Sequence, residues 1–176
     1  MKTLYLEKST GGGRDGAWSA GLDLEGVGRI VVGTGPGSFA GIRAAIAFAR
    51  GFSLASGCEV LGLPSACALA LGDGPSAVVG DARRGKYWVA LFDGFALIGD
   101  IFQVSREELP LRVPRSVPVT SPDHERIGEL MKELFGDFYD GGRKPTEDGL
   151  RRFAEANPSL LRPEPLPVYL NPAVRD

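Results

Sequence analysis

The 176-residue chain is poor in the side chains from which metal and redox sites are built. It has one histidine, His124, and two cysteines, Cys58 and Cys67. No pair of histidines and no paired cysteine motif is present, so a zinc site is not expected. The cysteines lie among apolar neighbours and read as buried, reduced thiols. A metallopeptidase lacks its ligands here. A serine peptidase would need a histidine base near Ser38 and an acidic orienter, and the sequence identifies neither. Amides are scarce as well: Asn157, Asn171 and Gln103 are the whole set. That scarcity fits heat adaptation and fits high-GC codon usage equally well. No apolar run is long enough to span a bilayer. The first residues lack the apolar stretch of a secretory signal, and the expected location is the cytoplasm. The net charge of −2 gives no general basic character, so strong autonomous nucleic-acid binding is not expected.

What the chain does have is glycine, 25 residues of it, about double the usual share. The most informative cluster is GPGSFAGIR, residues 35–43. It follows an apolar strand pattern, RIVVG, and opens a long alanine-rich helical pattern. Strand, glycine turn and helix start is the geometry that brings backbone N–H groups to phosphate oxygens. Gly35, Gly37 and Gly41 permit close backbone approach, and Ser38 is a good N-cap. The run is not a Walker A loop, because no Gly-Lys-Ser/Thr follows. It is not a Rossmann fingerprint, because no acidic residue closes the next strand in the right place. Two readings stay open: a phosphate cradle, or a tight strand-to-helix turn that packs closely.

The patterning predicts strands over residues 3–7 and 30–33, with a hairpin strand over 17–22 between them. A helix is predicted over 38–56, closed by Gly57 at C′. A strand over 59–63 and a helix from Pro64 to Leu71 follow, and Gly72-Asp73-Gly74-Pro75 breaks the chain. Beyond it, strands are predicted over 76–80, 86–92 and 95–104, with DARRG (81–85) as a turn. Residues 110–118 read as extended or loop. Helices are predicted over 121–135 and 147–156, with a short strand near 137–140 and a proline-rich tail. Strand and helix alternate on both sides of residue 75. The expected organisation is two related α/β lobes, residues 1–74 and 75–176.

The 38–56 helix is apolar over most of its circumference, which predicts burial on more than one side. One side would cover a sheet. The other is either internal or the site of a partner. Arg43 and Arg50 lie two turns apart on a common face.

GPGSFAGIR, then GLPSACALA, DARRGKYWVALF and PVYLNP in this order resemble the TsaB (YeaZ) family. The resemblance covers most of the chain and is most specific over residues 35–92. It implies the two-lobed, actin-like ATPase fold, α/β with mixed sheets covered by helices, here abbreviated. It implies a role in making threonylcarbamoyladenosine in tRNA, as a non-catalytic subunit. The expected partner is a TsaD-like catalytic paralogue, which holds the metal and nucleotide. A TsaE-like ATPase joins the assembly, a homodimer is possible, and tRNA is met only through the complex. No cofactor and no metal are expected in this chain.

On that resemblance Glu7 and Asp81 stand at the acidic positions of a divided phosphate site, here vestigial, with Arg83 or Arg84 near the anion. The plain reading of residues 81–85 is a polar hairpin turn. Arg83, Arg84 and Lys86 also offer a small basic edge to a partner or to tRNA. The expected partner surface is Phe39, Ile42, Arg43, Ile46, Ala47 and Arg50. The chain departs from the family at Ala40, where threonine is usual, and at Asn171, where arginine is usual. Only residues 8–29 separate the first strand from the next, too few for the two strands and helix usual there. The alternatives to the subunit reading are a phosphate-binding enzyme that uses the glycine loop and a glycoprotease-like peptidase.

Overall fold

The computed structural model describes residues 1–10, 19 and 21–170. The hairpin strand expected over 17–22 lies largely outside them, as does Asn171. Gly21 and Leu22, which are described, form no strand. The chain divides into two units: Met1–Ala68 with Pro145–Val168, and Leu69–Lys144 with Tyr169–Asp176.

The first unit is built on a parallel sheet of β1 (Lys2–Leu6), β2 (Val27–Gly33) and β3 (Glu59–Leu63), with β2 central. Leu6 pairs with Val32 and Leu4 with Ile30. Alternation along these strands sends Leu6, Ile30 and Val32 to one face. There they pack against α1 (Phe39–Ser56) through Ile42, Ala45, Ile46 and Ala49. Tyr5 points to the other face, towards Arg151 and Glu155 of α4 (Glu147–Ala156). Ser38 caps α1, its hydroxyl accepting from the Gly41 N–H at 3.4 Å. Gly57 ends it in the left-handed conformation, φ 72°, where glycine carries no Cβ penalty. Thr146 caps α4, accepting from the Gly149 N–H at 3.0 Å.

The alanine-rich helix is buried on one face rather than two. Ile42 and Ile46 are 3% and 6% exposed, inside the unit's own core. Phe48 and Phe52 stack along the flank, half-buried. Phe39, Ala40, Arg43, Ala47, Arg50, Gly51 and Leu54 form the outward face.

The two-lobe expectation placed all residues after 74 in one lobe. Instead, residues 145–168 rejoin the first unit. The reason is local: α4 covers β1, and beyond it Gly62 and Arg162 exchange backbone hydrogen bonds of 2.7 and 3.0 Å. The Val168 N–H then donates to the Thr34 carbonyl at 2.8 Å. A Cβ at Gly62 would press on Pro165, so this glycine lets the tail lie against β3.

The second unit is a mixed sheet in the order β6-β5-β4-β8-β9, with β7 paired to β5. Its strands are β4 (Pro75–Arg83), β5 (Lys86–Asp93), β6 (Ala96–Leu97), β7 (Phe102–Ser105), β8 (Val119–Ser121) and β9 (Tyr139–Gly142). β4 and β5 form an antiparallel hairpin, while β8 joins β4 in parallel. One face is covered by α2 (Leu109–Arg112) and α3 (His124–Phe135), with Leu109, Ile127, Met131 and Phe135 against Val79, Val89 and Val119. Three predicted elements changed form. Residues 65–69 are a 3-10 turn, the 95–104 strand is split into β6 and β7, and Pro110 lies in the first turn of the short α2, which runs into the expected loop. α3 starts at His124, not at Ser121. Among the described residues no helix is long and apolar enough to cross a membrane.

Replacing Ile46 by glutamate puts an unpaired charge against Leu6 and Val32. That costs several kcal/mol, a large part of the roughly 5–15 kcal/mol that holds a domain folded. Thermal unfolding should show a collapse of stability, whereas Leu54→Glu, at a position 91% exposed, should leave the melting temperature nearly unchanged.

Candidate functional site

The glycine loop is closed by the chain's own backbone. The Ser38 N–H donates to the Ser9 carbonyl at 2.5 Å. The Gly35 N–H donates to Ser65 Oγ at 2.9 Å, and the Ser65 N–H returns to the Gly35 carbonyl at 2.7 Å. The Gly41 N–H is taken by the Ser38 hydroxyl. The amides of Gly35, Ser38 and Gly41, three of those a phosphate at this helix start could use, are thus engaged inside the protein. The glycines serve the same closure. A Cβ on Gly37 would overlap the Ser9 carbonyl, and one on Gly41 would overlap the Lys8 carbonyl.

Residues 7–9 are themselves fixed at several points. Glu7 follows β1 and is only 7% exposed. Its Oε1 accepts from the Ser9 N–H at 2.7 Å, while Oε2 makes no hydrogen bond among the described residues. A Cβ on Gly33 would overlap this carboxyl, and Ser65 Oγ lies beside it. Burial pushes the Glu7 carboxyl above its ordinary value, opposed by the polar groups of Ser9 and Ser65 beside it and by the Lys8 charge. Lys8 Nζ reaches Glu147 Oε1 at 2.9 Å, linking the segment to the start of α4. Glu7 therefore lies beneath the loop as a packing group, and its carboxyl is turned away from solvent.

Asp81 belongs to the second unit. Its Oδ1 accepts from the Arg83 N–H and its Oδ2 from Arg126 Nε, both at 2.8 Å. Asp123 Oδ2 accepts the Asp81 N–H at 2.8 Å, and Asp123 Oδ1 pairs with Arg126. This is a local side-chain turn locked by one arginine. The turn that follows is unusual. Arg83 and Arg84 adopt φ 69° and 54°, followed by Gly85 at 71°. Two positive values at Arg84 and Gly85 suit a two-residue hairpin loop. For an arginine the left-handed region costs roughly 1–2 kcal/mol. Nothing in the sequence marks Arg83 for it.

Of the residues expected on the partner surface, Ile42 and Ile46 are in the core. Phe39, Arg43, Ala47 and Arg50 face outward. The Arg43 guanidinium lies 4.1 Å from the Phe39 ring centroid, and Arg50 Nη2 donates to the Pro165 carbonyl at 3.2 Å. Sequence reasoning missed Leu54, exposed at the far end of the same stripe, although its spacing from Ala47 and Arg43 is helical. His124 starts α3 and its Nδ1 is 2.8 Å from the Tyr139 hydroxyl. Its ring packs where Gly128 and Gly142 have no side chain. Burial pushes the Tyr139 phenol up to about 12. No group of three His, Cys, Asp or Glu residues converges to hold a metal among the described residues.

Residues 17–138 match the model of the TsaD family, described as tRNA N6-adenosine threonylcarbamoyltransferase. The chain belongs to that family. Uncharacterized proteins of Mycobacterium tuberculosis and Mycobacterium bovis are 34% identical over 115 residues, 63% of this chain and 53% of theirs. The chain spans about half the length of these curated relatives. The structure of YeaZ from Pseudomonas aeruginosa superimposes with a TM-score of 0.66 at 20% identity, over 95% of this chain and 99% of that one. A Pseudomonas aeruginosa protein described as similar to peptidase YeaZ gives 0.68 at 19% identity, over 96% and 99%. The fold is that of YeaZ, the actin-like two-lobed architecture.

Two measurements check this site. Gly51 lies mid-helix with open space around it, so Gly51→Ala should stabilise by up to about 1 kcal/mol. Gly41→Ala should destabilise despite the same gain in propensity, because its methyl group meets the Lys8 carbonyl; denaturant titration of the pair separates the two effects. Glu7 supplies the second. A carboxyl raised in the folded state binds its proton more tightly there than in the unfolded chain. Stability should therefore fall as pH rises above the ordinary glutamate value of 4.5, towards the folded value. Glu7→Gln should flatten that fall in melting temperature measured across pH.

Proposed function

We propose that this protein is a non-catalytic, TsaB-like subunit that binds and supports a TsaD-like catalytic paralogue in making threonylcarbamoyladenosine in tRNA. The observation that carries the reading is the closure of the glycine loop. A phosphate at the start of α1 would have to displace the Ser9 carbonyl from the Ser38 amide, 2.5 Å away. It would also have to move a segment anchored by the buried Glu7. Phosphoryl chemistry needs donors and cations pre-positioned for the developing charge. Here Ser38's amide is turned to an internal carbonyl, and Glu7 faces Gly33 and Ser65. A peptidase finds no base beside Ser38, because the lone histidine is bound to Tyr139 in the other unit. Membership of the threonylcarbamoyltransferase family supports the tRNA reaction as the setting.

The partner docks on the outward stripe of α1. Phe39 and Leu54 are large apolar groups, 54% and 91% exposed. Ala47 and Gly51 between them allow a second helix close approach. Arg43 and Arg50 supply charge at the rim. A second copy of the chain competes for the same stripe when the catalytic subunit is absent. A TsaE-like ATPase completes the assembly, and the chain carries no cofactor of its own in the cytoplasm.

Co-purification of the chain with a TsaD-like subunit tests this. Light scattering should give the mass of a complex, and Leu54→Glu should weaken association at least tenfold, about 1.4 kcal/mol, with the fold intact. Unchanged association of the variant would overturn the docking surface. Micromolar binding of ATP with magnesium by the isolated chain, seen by calorimetry, would overturn the non-catalytic reading.

A further inference from the structure

The tip of the β4–β5 hairpin is not explained by the fold. Three successive residues, Arg83, Arg84 and Gly85, hold positive φ, a conformation for which glycine and asparagine are the inexpensive choices. The acidic groups at the base of the turn are turned inward. Asp81 and Asp123 side chains are 15% and 18% exposed and share Arg126. The cations point outward. Arg83 is 66% exposed, with only a long 3.5 Å approach to Asp81. Arg84 and Lys86 are exposed and make no ion pair or side-chain hydrogen bond among the described residues. Three cations thus stand at the hairpin tip, Arg83 with one long carboxylate contact and Arg84 and Lys86 with none among the described residues. Several exposed arginines elsewhere are paired with carboxylates: Arg29 with Glu59, Arg106 with Glu133, Arg151 with Asp148 and Glu155.

We propose that this tip docks the phosphate backbone of the RNA substrate, an inference that rests on the tRNA reading above. Guanidinium groups match phosphate oxygens in geometry and stay charged. A narrow tip reaches between backbone strands where a flat face does not. The tip has no aromatic side chain. Trp88 and Tyr87 follow in β5, but Trp88 is buried and Tyr87 packs on the core. Base stacking, which needs such faces, is therefore absent, and recognition is of phosphate and independent of base sequence. Three contacts are weak in isolation, in keeping with a net charge of −2. They act as one arm of a larger assembly.

The test measures fluorescent tRNA binding by the full chain together with its TsaD-like partner, across a salt series. The combined variant Arg83→Gly, Arg84→Gly, Lys86→Thr should bind tRNA about tenfold more weakly at low salt. Its slope of log K against log salt should be shallower by about 2, the share of three phosphate contacts. Its melting temperature should be unchanged or raised, since glycine relieves the left-handed backbone. Arg83→Lys with Arg84→Lys should keep most of the affinity, because the charge remains. Unchanged tRNA affinity of the triple variant in an intact complex overturns the inference and leaves the subunit reading standing. Loss of the catalytic subunit from the triple variant overturns it too, because the tip would then bind an acidic protein surface. Failure of the wild-type chain to form the complex at all counts against the subunit reading, and tRNA binding by the chain alone still tests the tip.

Discussion

The contact on which the first unit depends is the hydrogen bond from the Ser38 amide to the Ser9 carbonyl. It joins the end of β1 to the start of α1 at the point where the chain leaves β2. Around it the sequence looks extravagant in glycine. Each glycine there has an identified neighbour: Gly33 the Glu7 carboxyl, Gly37 the Ser9 carbonyl, Gly41 the Lys8 carbonyl. The buried Glu7 in turn fixes Ser9 through its N–H. The loop is a socket for residues 8 and 9. Anions and carbonyl oxygens are both hydrogen-bond acceptors, so the same amides serve either. Which acceptor occupies them decides between chemistry and architecture.

This closure determines what α1 can do. Its N-terminus is anchored by Ser38, and Ile42, Ala45, Ile46 and Ala49 cover the sheet. Those residues are committed to the core. The opposite stripe keeps two large apolar groups in water, Phe39 and Leu54, with small residues between them. Single exposed apolar side chains are ordinary. Two of them at the ends of one stripe, on a helix whose other face covers the sheet, are the ground for the docking surface proposed above. The helix is ordered by its own unit, so a partner gains contact area without the cost of ordering it.

The sequence revealed most of the elements, because their signals are local. Ser38 and Gly57 bracket α1, Pro158 follows α4, and the helical spacing of Ile127 and Met131 marks the buried stripe of α3. It did not reveal the return of residues 145–168 to the first unit. That return depends on backbone bonds between Gly62 and Arg162, which have no signature in either segment alone. The loop was legible as a shape but not as a closed one. The carbonyl that closes it comes from 29 positions upstream, and any residue at position 9 has a carbonyl. The apolar circumference of α1 was misleading for a related reason. Alanine and glycine count as apolar, yet they lie on an exposed face as readily as a buried one, so only Ile42 and Ile46 fixed the inward direction. The same weakness hid the exposure of Leu54 at the far end of the outward face.

Local costs separate the two unusual loops. Gly41 in the first turn of a helix sacrifices about 1 kcal/mol relative to alanine, and the Lys8 carbonyl explains it: no side chain fits. Arg83 and Arg84 sacrifice comparable energy in left-handed backbone; Asp81 holds the Arg83 N–H, and Arg84 has no side-chain hydrogen bond or ion pair among the described residues. Gly85 alone would satisfy one position of the turn, and Asp81 already secures the backbone at Arg83. In the first loop an unfavourable residue is the consequence of the fold. In the second, glycine or asparagine would serve the fold at less cost, which is the ground for the role proposed for these arginines outside it. The first loop joins β2 to α1, and the second joins two antiparallel strands. The first turns its hydrogen-bond donors inward on the protein itself, and the second turns positive charge outward.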